Sequence, residues 1–191
     1  MKLGIFGGTF DPPHIGHLIV ADNVREQLGL EKIIFIPSYQ PPHKLETNTA
    51  QPIQRFEMVE LSIKNNKDFQ VYDIEIQRKG KSYTIDTINT LTLIHPQAKF
   101  YLIIGMDNLL EFPQWKSPHE ILSRVELIVM NRPGYDKPLK SEFSRYATFV
   151  RVPNIDISSS EIRRRIKMGR TIRYLVHPDV EKYINIKGLY R

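Results

Sequence analysis

Four short stretches of this chain are almost uninterruptedly apolar, and they restrict its architecture more than any other feature: LGIF at 3–6, KIIFI at 32–36, FYLII at 100–104 and VELIVM at 125–130. A strand that is wet on one face alternates polar with apolar side chains. Runs such as these must be covered on both faces, as strands are in a parallel sheet flanked by helices. Three of them stop at strand breakers: Gly7-Gly8, Pro37 and Gly105. The segments between them carry helical spacing. Ile15, Leu18, Ile19, Val24 and Leu28 mark a helix over 15–28, with Gly29 as its stop. Phe56, Val59 and Ile63 mark another over 54–65. Further helices are expected near 84–94 and 161–168, as broken pieces over 108–122 interrupted by Pro113 and Pro118, and after Pro178. Alternation at 69–76 and a short run at 148–152 add two strands, giving an α/β chain with a mainly parallel sheet of about six strands. No repeat or long linker divides it, so residues 1–191 read as one domain with a small helical part from about 154.

Composition removes several classes of function. The chain has no cysteine, which excludes disulfides, thiol catalysis and cysteine-ligated zinc. No apolar stretch approaches the roughly 18 to 20 residues that span a bilayer. The start, MKLGIFGGTF, lacks the length and cleavage site of a signal peptide, so a cytoplasmic protein is expected. The formal net charge of +6 favours anionic partners. The densest cationic cluster, Arg163-Arg164-Arg165, follows a serine run and reads as a compact anion site rather than a nucleic-acid stripe.

In open parallel sheets, ligands bind beyond the carboxyl ends of the strands, and the chemically loaded segments fall there. The first is GGTFDPPHIGH at 7–17. Gly7 and Gly8 allow close approach of the backbone to a ligand and permit left-handed conformations that aim N–H groups at phosphate. Asp11-Pro12-Pro13 makes a rigid turn. His14 and His17 then project from one face of a helix start, whose own partial positive charge adds to theirs. Paired histidines also serve metals, but the turn immediately before them points to polyphosphate, and no Gly-Lys-Ser/Thr of a Walker loop follows. The second segment, PSYQPPHK at 37–44, is a proline-stiffened loop ending in Lys44, a candidate phosphate ligand. Arg55 follows at the next helix start.

Three more segments complete the set. EIQRKGKSYTIDT at 75–87 reads as a strand, a turn at Gly80 and a helix start capped by Ser82 or Thr84. GMDNLLEFPQWK at 105–116 holds Met106, Asp107, placed to accept from ribose hydroxyls, and Trp115, the one tryptophan of the chain. An indole is as ready to fill a core as to stack on a pyridinium. ISSSEIRRR at 157–165 is a serine-capped helix start whose N–H groups, Ser158, Ser159 and Arg163 can converge on a triphosphate.

Together these motifs resemble the nucleotidyltransferase α/β superfamily with its His-x-Gly-His signature, in the form found in bacterial nicotinate-nucleotide adenylyltransferases. Phosphopantetheine adenylyltransferase and glycerol-phosphate cytidylyltransferase relatives share the first motif. The PxxxPPHK, SYTIDT and GMDNLLEFPQWK segments favour the nicotinate branch, and Ser160 stands where the superfamily's ISSTxIR motif more often has threonine. The resemblance implies a Rossmann-like, doubly wound sheet and transfer of the adenylyl group of ATP to nicotinate mononucleotide, giving deamido-NAD and pyrophosphate. It implies catalytic roles for His14, His17, Lys44 and Arg163. ATP would meet Gly7, Gly8, Thr9, Phe10, His14, His17, Asp107, Ser158, Ser159 and Arg163; the pyridine nucleotide would meet Lys44, Thr84, Met106 and Trp115. Mg²⁺ would arrive on ATP, with no protein metal site. Readings left open are the same chemistry on nicotinamide mononucleotide or another phosphate acceptor, and a non-catalytic nucleotide sensor. Neither a nucleic-acid nor a membrane partner is expected, and a homo-oligomer is left open.

Overall fold

The computed structural model describes residues 1–40, 50–131 and 141–191. The four apolar runs become β1 (Lys2–Gly8), β2 (Lys32–Pro37), β4 (Lys99–Gly105) and β5 (Val125–Met130). With β3 (Phe69–Val71) and β6 (Ala147–Val150) they form a six-stranded sheet in the order β3-β2-β1-β4-β5-β6. Every neighbouring pair is parallel. This is the doubly wound, Rossmann-like arrangement, and its order reverses between β1 and β4, where such sheets open a crevice for ligands.

Both faces of the sheet are buried, as the apolar runs require. Leu3, Ile5, Leu102, Ile104, Leu127 and Val129 point to one side, against Ile85, Ile88 and Leu91 of α4 (Thr84–Ile94). Phe6, Ile33, Phe35, Ile103 and Ile128 point to the other, against Ala21 and Val24 of α1 (Ile15–Leu28) and Val59 and Ile63 of α2 (Pro52–Ile63). Alternation is present after all, but between two cores rather than between core and water. Gly4 sits in the middle strand because a Cβ there would fall 2.6 Å from Ile33 Cδ1 and 2.9 Å from Ile103 Cδ1.

Residues 69–76 depart from the expected strand. Only Phe69–Val71 is extended, and α3 (Ile74–Arg78) begins directly after Asp73. Gln77 Nε2 donates to both oxygens of Asp73 at 2.9 and 2.8 Å, a one-turn pairing that helical geometry favours. Glu75, on the buried side, faces the start of α4 instead of solvent. Pro118 does not interrupt a helix but opens one, at the first position of α6 (Pro118–Arg124). The interruption lies before it, where α5 (Met106–Glu111) runs into a 3-10 turn over Phe112–Gln114. After β6, α7 (Ser159–Lys167) and α8 (Pro178–Lys187) bury Ile162, Val180 and Ile184 against Ala50 and Met58.

Phe35 is 1% exposed and stacks edgewise on Phe6 and Phe69, with Phe10 tilted beside it. Replacing it by alanine is expected to cost about 3 to 5 kcal/mol, read as a lowered urea midpoint; a loss under about 1 kcal/mol would contradict the packing described.

Candidate functional site

Two cavities open at the carboxyl ends of β1 and β4, of about 620 and 490 Å³. Both are lined by Gly7, Gly8, Thr9 and Gly105, so they adjoin across the crevice at the order reversal. Gly7 and Gly8 remain extended within β1, contrary to the expectation of left-handed glycines; the positive φ falls on Phe10, at 52°. Close approach is the reason for the glycines. No atom lies within 4 Å of a Cβ placed on Gly7, and one on Gly8 would strike the Phe10 ring at 2.9 Å.

The first cavity holds the histidines. His14 caps α1 and its ring stacks on His17 with centroids 3.6 Å apart and planes 23° from parallel. Gly16 makes this possible, since a Cβ there would lie 3.0 Å from His14 Nδ1. The His14 backbone N–H donates to His17 Nδ1 at 3.1 Å. That bond requires a lone pair on Nδ1, so the neutral His17 ring carries its proton on Nε2. Phe10 and Phe6 meet the His17 ring edge-on and fix its plane. Burial lowers the His14 pKa to about 4, so that imidazole is neutral at pH 7.

Asp11 organises the turn before the histidines. It is 2% exposed, and its Oδ1 accepts from the Ala50 N–H at 3.0 Å and the Tyr190 hydroxyl at 2.6 Å. Arg163 donates to the Asp11 carbonyl at 2.7 Å and lies 3.7 Å from Oδ2. Ser159 Oγ donates to the Pro12 carbonyl at 2.9 Å, while Ser158 Oγ caps α7 by accepting from the Glu161 N–H. The start of α7 is thereby docked on the turn, and Ser158, Ser159 and Arg163 line the same cavity as His14, His17 and Asp107. Arg164 and Arg165 turn away, to Glu161 and the Thr171 carbonyl. Arg55, 3% exposed, donates to the carbonyls of Thr9, Tyr39 and Ala50 at 2.7, 3.1 and 3.2 Å. It braces the loops after β1 and β2 together. Burial lowers its pKa against the pull of Asp11, yet a guanidinium stays charged.

The second cavity is lined by Thr84, Tyr83, Lys81, Glu75 and Trp115. Trp115 packs on the core beside Phe112, ring centroids 5.1 Å apart, and also lines the cavity. Lys116 stands 4.9 Å over the Tyr83 ring and bonds Asp86 at 3.0 Å. Thr87 Oγ1 donates to Glu75 at 2.6 Å, and Ser82 Oγ accepts from the Tyr39 N–H at 2.9 Å. Burial raises the Glu75 carboxyl pKa, opposed by its hydroxyl partners. Met106 lines neither cavity; its side chain packs on the core, because Asp107 and Asn108 take the positions facing the crevice. Gly105 leaves room for that, since a Cβ on it would lie 2.5 Å from Asp107 Oδ1. Lys44 lies outside the described residues. Tyr190 carried no motif signal, while Asp11 and Glu75 fell inside the 7–17 and 75–87 segments without being read as site residues. The wall formed by Met130, Asn131, Val152 and Ile155 was equally silent, its only hint being the position of Asn131 beyond a strand end.

His14 should leave a mark on stability against pH. The unfolded imidazole titrates near 6.5 and the folded one near 4, so between those values the unfolded chain binds more protons. The contribution is complete above pH 6.5 and is lost as pH falls towards 4. It amounts to roughly 3 kcal/mol at about 1.4 kcal/mol per unit. In urea titrations at pH 4 and 7, His14→Gln is expected to narrow the difference by about that amount; an unchanged difference would place the titration elsewhere.

Comparison with known proteins agrees with this geometry. Residues 5–165 match the family model described as cytidylyltransferase-like. The chain is 46% identical to the "Probable nicotinate-nucleotide adenylyltransferase" of Caldicellulosiruptor bescii, with both chains covered in full. It is 42% identical to the protein of the same name in Desulfitobacterium hafniense, covering all of this chain and 96% of that one. In fold it is similar to the Plasmodium falciparum nicotinic acid mononucleotide adenylyltransferase solved with NaAD, with TM-score 0.80 at 22% identity over 99% of this chain and 97% of the other. The chain therefore belongs to the cytidylyltransferase-like nucleotidyltransferases and, within them, to the family of nicotinate-nucleotide adenylyltransferases.

Proposed function

We propose that this protein transfers the adenylyl group of ATP to nicotinate mononucleotide, releasing pyrophosphate and forming nicotinate adenine dinucleotide, with residues 1–191 acting as one domain. The observation that carries the reading is the pair of adjoining cavities. One holds the stacked imidazoles and the start of α7, the other Trp115 and the start of α4, and the bare strand end Gly7–Gly8 lies between them. The relatives' names support the same reaction.

In this reading the triphosphate lies along His14, His17 and α7, and the α-phosphorus sits over the end of β1. A phosphate oxygen of the mononucleotide forms the new P–O bond as the bond to the β-phosphate bridging oxygen breaks, and pyrophosphate leaves with that electron pair. The attacking oxygen is already ionised, so no base is needed, and acceleration comes from alignment and charge stabilisation. His17 offers Nε2–H with its ring held on both sides, a preset donor for charge developing on the phosphates. Arg163 and the N–H groups of α7 take the β- and γ-phosphates. Asp107 meets the ribose, while Thr9 and Phe10 form the floor. Thr84 and Trp115 hold the pyridine ring, and Lys44 draws in the attacking phosphate. The N–H groups at the start of α4 favour the acid over the amide.

Among the described residues no group of three His, Asp or Glu could hold a metal ion. Of the carboxylates lining the first cavity, Asp11 already accepts two hydrogen bonds. That donor set fits Mg²⁺ carried on phosphate oxygens and water, where it would offset phosphate charge. Among the described residues no helix is long and apolar enough to cross a membrane; the setting proposed is the cytoplasm, where ATP is available.

Pyrophosphate release, followed with ATP, Mg²⁺ and either nicotinate or nicotinamide mononucleotide, tests the proposal. Release with the acid form is expected to dominate. Equal release with both would remove the acid preference, and silence with both would overturn the reaction. His17→Ala should lower turnover about 10²- to 10³-fold with its circular dichroism unchanged, and near-normal turnover would remove His17 from this role.

A further inference from the structure

Among the described residues, non-glycine backbone in the left-handed region is confined to five positions, and two of them bracket a single contact. Phe10, at φ 52°, directly precedes Asp11; Tyr190, at φ 64°, follows the end of α8. Aromatic residues avoid this region unless their surroundings enforce it. What they bracket is the 2.6 Å hydrogen bond from the Tyr190 hydroxyl to Asp11 Oδ1. Burial, together with the neighbouring carboxylate, raises the phenol pKa far above its usual range, so this hydroxyl is a donor at every working pH.

The contact lies at a sensitive place. Asp11 is a buried carboxylate lining the cavity that also holds His14, His17 and Arg163, and its Oδ2 has no hydrogen-bond partner among the described residues. An anion there opposes phosphate in two ways: by direct repulsion, and by competing for Arg163, whose guanidinium is 3.7 Å from Oδ2. Tyr190 and the Ala50 N–H hold Oδ1 from the side and share its charge. Arg163 donates to the Asp11 carbonyl at 2.7 Å and pairs with the carboxylate at the longer distance of 3.7 Å from Oδ2. The same residue also sets the turn that leads to His14.

We infer that Tyr190 is a positioning residue for ATP: its hydroxyl holds the Asp11 carboxylate in place, keeping Arg163 and the His14 turn set for the triphosphate. The inference deepens the adenylyl-transfer reading and rests on it for its kinetic consequence, but it also predicts nucleotide affinity directly. It acts on the ATP side, because Tyr190 lines neither cavity and the carboxylate it bonds, Asp11, lines the first cavity and not the second.

Tyr190→Phe removes the hydroxyl and keeps the ring. Tyr183→Phe is its control: that hydroxyl also bonds a carboxylate, on Glu57 of α2, and neither Tyr183 nor Glu57 lines either cavity. Both variants are made in the full chain, and three quantities are read: thermal midpoint, KM for each substrate, and calorimetric affinity for a non-hydrolysable methylene analogue of ATP with Mg²⁺. Tyr190→Phe is expected to raise KM for ATP and weaken analogue binding by about tenfold or more, the worth of one hydrogen bond to a charged group. KM for nicotinate mononucleotide should stay within about twofold, and Tyr183→Phe should leave both affinities unchanged. Unchanged analogue binding in Tyr190→Phe overturns the inference. So does an equal loss in both variants, or equal rises in both KM values, since those mark a merely structural bond. Absence of pyrophosphate release by the unaltered protein overturns the reaction alone, provided the analogue still binds and Tyr190→Phe weakens it; if the analogue does not bind the unaltered protein, both fall.

Discussion

A guanidinium removed from water is costly unless its N–H groups find acceptors, and the fit of those acceptors then dictates where the surrounding chain lies. Arg55 meets this condition with three backbone carbonyls, those of Thr9, Tyr39 and Ala50. They belong to the loop after β1, the loop after β2 and the lead into α2. Carbonyls following parallel strands have no ladder partner to accept from once the strands end, so the fold offers the acceptors and α2 supplies the donor. The crevice at the order reversal gets a rigid wall from this exchange, and the Gly-Gly strand end, the Asp11 turn and the histidine cap all inherit their positions from it.

Charge in the crevice is arranged around that brace with little net cation of its own. His14 is neutral through burial, and Arg55 spends its donors on backbone. Asp11 is offset by a phenol and an amide, leaving Arg163 and the start of α7 as the groups that favour anions. Such a site binds phosphate mainly through oriented donors, which need no reorganisation when charge shifts between oxygens during transfer.

Much of this was legible in the sequence because the relevant signals are short-range. The strand runs, a serine-capped start to the helix that carries Arg163, and the spacing of His14 from His17 all lie within a few residues, so pattern alone located them. What escaped depends on chain separation. Asp11 meets Tyr190 across 179 positions, and no local pattern encodes a partner so distant. At 69–76 alternation suggested a strand, whereas Glu75 is buried beside Thr87 and an Asp73–Gln77 pair closes a helical turn. Met106 packs on the core for a simpler reason: in a helix start, adjacent residues point about 100° apart, and the crevice took Asp107 and Asn108. Lys44, as legible as any of these, falls beyond what the structure describes.

The chemistry grows from the middle of the sheet. β1 pairs with β2 along Leu3–Gly8 and with β4 over Lys2–Ile5, and the Gly8 carbonyl accepts from the Ser38 N–H just past its neighbour. Amide hydrogens in its doubly paired part therefore reach solvent only when the strand itself comes apart, which is close to global unfolding. Partial openings of the protein belong to the edge strands β3 and β6, three and four residues long. Heat or denaturant applied short of full unfolding should fray those margins first, leaving the doubly paired part of β1, from which the phosphate floor extends, among the last parts of the molecule to come apart.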